Sequence, residues 1–217
     1  MTMTELMLML RSSSRAGKLH VMRCLVSDLA QDESDLPRQN LFTLLVNTIK
    51  NMTFEEAIAY TENLLSRKDL EDSQLESEIA ELVQTSNGAR GFFVCFLTGE
   101  WQLADAPSSS IIRALQSAPD AIAELLVKNL AMSTAMAIFH RRAGNEEQAQ
   151  NSDRVARRTS LLIEKVDLTE VCKISIQMQN SAITNTGEYA AFLEKWGYDA
   201  EQKQAIANTL NHVLDNG

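Results

Sequence analysis

Apolar residues recur at three- and four-residue spacing along most of the chain, the signature of amphipathic helices rather than strands. Residues 14–30 place Leu19, Met22, Leu25, Val26 and Leu29 on one stripe. Pro37 opens a second segment whose apolar side carries Leu41, Leu44, Leu45 and Ile49, proline being well suited to a first helical turn. Thr53-Phe-Glu-Glu56 is a capping box ahead of Ala57, Ile58, Leu64 and Leu65, and Ser73-Gln-Leu-Glu76 repeats the device ahead of Ile79, Leu82 and Val83. Pro107 starts a short helix reaching Leu115, and Pro119 starts a long one reaching about Arg142.

Gly144-Asn145 is a tight break. Beyond it Val155, Thr159, Leu162, Ile163 and Val166 form a further stripe, and Asp167-Leu-Thr-Glu170 caps the helix that follows. Tyr189, Phe192, Leu193 and Trp196 belong to one arm of a terminal hairpin, stopped by Gly197. Asp199 caps the second arm, which carries Ile206, Leu210, Val213 and Leu214.

Residues 91–98 depart from the pattern because they are apolar on every side, with Phe92, Phe93, Val94, Cys95, Phe96 and Leu97 in succession. Periodicity does not separate a strand from a buried helix here. A helix is favoured, since Gly99 supplies a stop and every neighbouring segment is helical. The expectation is an all-α, orthogonal multi-helix bundle of nine to ten helices. It forms a single domain over residues 1–217, is built around residues 91–98 and 130–139, and is closed by a helical hairpin over residues 184–217.

Composition supports that reading and narrows the setting. With only 8 Gly and 3 Pro in 217 residues, the backbone has too little punctuation for a β-sandwich, which needs a turn every ~8–12 residues. A formal net charge of −9 argues against nucleic acid or an anionic membrane as partner. Cys24, Cys95 and Cys172 are an odd number with no CxxC pair, which fits a reducing compartment. The N-terminus lacks the basic region of a signal peptide. The most apolar runs are shorter than the ~20 residues that span a bilayer. A cytoplasmic protein is expected.

No reaction chemistry stands out, and no cofactor or metal is expected. Neither Glu-x-x-His nor His-x-x-x-His surrounds a histidine, and there is no nucleophile elbow or Gly-rich phosphate loop. His20 and His212 lie opposite the apolar stripes of their helices, toward solvent. His140 shares an azimuth with Ile122, Leu126, Asn129, Ser133 and Met136, and with Arg141 complements the negative end of a helix. Cys95, flanked by Val94 and Phe96, reads as a small core residue with a raised pKa.

Two features carry functional expectations. In Ser86-Asn-Gly-Ala-Arg-Gly91, Arg90 falls in a first helical turn, where the dipole disfavours a cation. Anion binding there, with Asn129 and His140 as further ligand-binding candidates and Phe92, Phe96 and Met136 as lining, is set against an Arg90 paired with Glu100 or Asp105 beside glycines that permit close packing. The second feature is the arginine group Arg141, Arg142, Arg154, Arg157 and Arg158. It reads as a positive surface for an acidic partner, or as a solvated face laced by Asp153, Glu146 and Glu147. The leading function is a non-enzymatic protein-interaction module using that patch, with a protein partner or self-association. The alternative is a helical-bundle binder of a small anionic or hydrophobic ligand. A helical enzyme using His140 or Cys95 comes third.

Overall fold

A computed structural model describes residues 49–67 and 70–216, with no strand and ten helices among them. The protein is an all-α multi-helix bundle. The helices are α1 (Phe54–Ser66), α2 (Asp72–Val83), α3 (Ser86–Thr98), α4 (Gln102–Asp105), α5 (Ser109–Gln116), α6 (Pro119–Arg142), α7 (Glu146–Val166), α8 (Thr169–Thr184), α9 (Ala190–Lys195) and α10 (Ala200–Asn216). The helix predicted over residues 14–30, with His20 and Cys24, lies outside the described residues. So does the segment from Pro37, except for Ile49, which is buried.

Four of the first five helices pack as two pairs, α1 on α3 and α2 on α5, while the short α4 touches α7. The capping box at α1 forms as its sequence demands: Thr53 Oγ1 accepts from the Glu56 N–H, and Glu56 returns the bond to the Thr53 N–H. The second capping box does not form. Helix α2 begins earlier, with Glu71 at its N-cap, and Glu76 accepts two bonds from Arg113 of α5 at 2.9 and 2.6 Å. Across α1 and α2, the buried Tyr60 hydroxyl donates to Glu78 at 2.5 Å, and burial pushes the Glu78 carboxyl above the usual carboxylate range.

Residues 91–98 are helical, with Phe92, Phe93 and Phe96 all but inaccessible. The segment is not buried on every side, because Arg90, Val94 and Thr98 fall on one exposed edge. Helix α3 crosses α1 closely enough that Gly91 leaves no room: a Cβ built there would sit 2.5 Å from the Ala57 Cβ and 2.9 Å from its backbone. Gly99 ends the helix as expected. Its backbone is extended, so the glycine serves space rather than a left-handed turn. The Trp101 indole lies where a Cβ would go and donates to the Cys95 carbonyl at 3.0 Å.

The long helix from Pro119 to Arg142 and the break after it are as predicted. Gly144 takes φ +71, and Asn145 caps α7 by accepting from the Gln148 N–H at 3.3 Å. At the next junction Asp167 is not a helix start. It is the C-cap of α7, in the left-handed region at φ 45, a conformation aspartate tolerates better than most residues. The predicted turn forms with Gly197 at φ +65, and Asp199 and Gln202 exchange reciprocal cap bonds at 2.9 and 3.1 Å, but α10 packs mainly on α8 and α6 and not as a hairpin on the six-residue α9. Buried Gln202 also donates to the Ala135 carbonyl at 2.9 Å, tying α10 to α6. Phe139, expected in the core, is 53% exposed.

A continuous buried cluster runs from Ile49 to Leu210, with α6 and α7 packed along each other through its middle. By length and composition α6, at 24 residues, is apolar enough to cross a membrane, although its individual apolar runs are short. Half of its most apolar window is buried among the other helices.

The α1–α3 contact gives a first test. Gly91→Ala would ordinarily favour a helix by up to ~1 kcal/mol. Here the new methyl meets backbone that cannot yield, so overpacking prevails, with an expected net loss of about 1–2 kcal/mol. Urea unfolding of the two proteins reads the difference.

Candidate functional site

Helix α7 carries the residues on which the functional expectations converge, and its neighbours dispose of them differently. Arg158 is 3% exposed. Its Nε and Nη2 grip the two carboxylate oxygens of Asp105 at 2.9 and 2.7 Å, the planar fork suited to a carboxylate. Its Nη1 donates to the Leu97 and Gly99 carbonyls at 2.9 and 2.7 Å. A buried cation thus satisfies the end of α3, where carbonyls lack helical partners and the dipole is negative. Arg158 belongs to the interior and not to a docking surface.

The other four arginines are at the surface, each beside an acid of the same chain. Arg157 donates to Asp105 at 3.2 Å. Arg154 donates to Glu100 at 2.5 Å, to the Thr98 carbonyl at 3.1 Å and to Asn151 at 3.2 Å. Arg141 pairs with Asp153 and lies 3.8 Å from Glu146, while Arg142 pairs with Asp199 and Glu201. Such exposed pairs contribute only about 0–1 kcal/mol each to stability. They do cancel much of the field that an acidic partner would meet.

Arg90, Asn129 and His140 do not form one site. Arg90 is exposed, its guanidinium 4.9 Å over the Phe54 ring, and Glu100 and Asp105 are engaged by other arginines. In the same segment the Gly88 N–H already donates to Thr85 at 3.0 Å. Phe92 and Phe96 stack on each other within the core, 5.1 Å between centroids. Asn129 and Met136 line a cleft of about 380 Å³ between α6 and α7, joined there by Ser133, Gln148, Asn151 and Arg154. His140 sits at the end of α6, half-buried, edge-to-face against Phe139 at 5.4 Å. Cys95 is buried, and burial pushes its thiol up. Among the described residues no group of three or more His, Cys, Asp or Glu could hold a metal ion.

A larger groove, of about 1020 Å³, escaped the sequence reading. It lies between α7, the start of α8 and α10. Leu161, Leu168, Val171 and Val213 give it apolar walls, and Arg157, Glu164 and Asp167 supply its charge. Cys172 and His212 also line it. Its signal was present: Arg157, Leu161 and Glu164 stand at i, i+4 and i+7, one face of α7. That face is turned away from the stripe that marked the core, and Leu161 interrupts its polar residues.

The Arg158 fork holds the Asp105 carboxyl well below its ordinary 3.8, at about 2. A carboxyl lowered on folding stabilises the fold above its unfolded pKa and loses that contribution as pH falls through its folded one. The expected result is acid destabilisation between pH 3.8 and about 2. This component should disappear in Asp105→Asn when stability is followed by urea unfolding across that range.

No curated protein and no solved structure matches the chain. Residues 53–213 match the family described as uncharacterised conserved protein UCP020893. That span runs from the N-cap of α1 to Val213 in the wall of the groove, and the chain belongs to this family.

Proposed function

We propose that the protein is a non-enzymatic interaction module that receives an amphipathic helix of a partner protein in the α7–α8–α10 groove. The observation that carries this reading is the groove's make-up. Apolar side chains at Leu161, Leu168 and Val213, from α7, the start of α8 and α10, stand beside the carboxylates of Glu164 and Asp167. A helix laid into such a groove buries apolar side chains at i, i+3, i+4 and i+7. Basic residues beside that stripe would complement Glu164 and Asp167, and the net charge of −9 favours a basic partner over an acidic one.

This moves the docking surface from the arginine patch to the groove. The arginines support it less well, because each already has an acid from its own chain beside it. Arg157, 68% exposed at its side chain, is the member of that group that also lines the groove.

A photo-crosslinking residue placed at Thr209, on the groove wall, tests the assignment in the native host. The expected product joins this chain to a second polypeptide through a segment with an apolar 3–4 stripe and flanking Lys or Arg. Val213→Glu should abolish it, while Arg141→Glu with Arg142→Glu should leave it intact. A cross-link to another copy, to residues 1–48 of this chain or to no polypeptide would contradict the proposal.

A further inference from the structure

The cleft between α6 and α7 is walled by a chemistry unlike that of the groove. Helix α6 contributes Asn129, Met132, Ser133 and Met136, and α7 contributes Gln148, Asn151, Ser152, Arg154 and Val155 across from them. The α6 set, and the α7 set apart from Arg154, follow the i, i+3, i+4, i+7 spacing of one helix face, with Arg154 at its edge. The two helices therefore turn matching faces toward each other around an open space. No carboxylate lines it, and its single ionised group is Arg154. Its volume of about 380 Å³ falls in the ~300–1,000 Å³ range of small-molecule sites.

The hydrogen bonds of these walls are unevenly used. Ser133 and Ser152 give their protons to backbone carbonyls of their own helices. Asn151 spends its carbonyl oxygen on Arg154, which leaves its NH₂ as a donor. The buried Nε of Arg154 has no hydrogen-bond partner, and an unmet donor of this kind is costly in a folded protein. The ion partner of Arg154 is Glu100, whose side chain is 84% exposed, so the pair is solvated and easily exchanged. Met132, Met136 and Val155 meanwhile give the cleft an apolar side.

We infer that this cleft binds a small organic carboxylate with an apolar body. The carboxylate competes with Glu100 for Nη1 of the Arg154 guanidinium. The amide of Asn151 shares the load, and Met132 and Met136 hold the hydrocarbon part. Because the cleft is separate from the groove on α7, α8 and α10, the inference stands independently of the docking proposal.

Hexanoate is a suitable probe, with hexanol and inorganic phosphate as comparators. The readout is the ¹H–¹⁵N correlation of arginine Nε–H groups in the full chain, with the Arg154 signal assigned by its loss in Arg154→Lys. Hexanoate should shift that signal saturably, and hexanol and phosphate should not. Met136→Trp fills the cleft while keeping Arg154, and should weaken hexanoate binding at least about tenfold with circular dichroism unchanged. Three results would overturn the inference: no saturable shift with hexanoate, an equal response to hexanol or phosphate, or undiminished binding in a folded Met136→Trp.

Discussion

The architecture rests on one buried cation. Arg158 enters the interior from the middle of α7 and closes the exposed carbonyl end of α3 while gripping Asp105 at the end of α4. A guanidinium so enclosed is costly to bury unless its donors are met. Here every nitrogen has an oxygen partner, and the fixed fork admits only one orientation of α7 against α3 and α4. Gly99 and Trp101 belong to the same construction. The glycine leaves space for the indole, and the indole takes up a further carbonyl at the end of α3.

Once that orientation is set, the rest of α7 follows by helical geometry. The face that carries Arg158 inward also carries Leu162 and Val166 into the core. Asn151 and Arg154 are brought to the edge shared with α6, where the polar cleft opens. The opposite side presents Arg157, Leu161 and Glu164 to the groove shared with α8 and α10. One helix thus separates two environments, a small polar cleft and a larger apolar groove, and the clamp that fixes it determines the shape of both.

The helices were largely legible in the chain because their signals are local. The capping box at Thr53, the prolines ahead of α5 and α6, and the glycine at 144 act within a few residues. Boundaries were misread where a distant group overrode a local motif. Glu76 serves Arg113 instead of a cap, and Asp167 finishes α7 in a left-handed conformation instead of opening α8. The site was less legible for the same reason. Five arginines close in sequence look like a basic patch, but Asp105, Asp199 and Glu201 approach them from residues fifty or so positions away in the chain. Spacing alone distinguishes Arg157 from Arg158 by one residue; burial separates them into a surface group and an internal clamp. The groove was hidden because its walls come from three helices, none of which is unusual alone.

A double-mutant cycle between Arg158 and Asp105 tests the clamp most directly. Arg158→Met, Asp105→Asn and the double variant would be compared with the parent chain by urea unfolding at neutral pH. If the fork orients α7 as described, the two substitutions are strongly non-additive, with a coupling of about 1–3 kcal/mol. Additivity within about 0.5 kcal/mol would contradict the account, because the helix would then be held by its apolar packing alone.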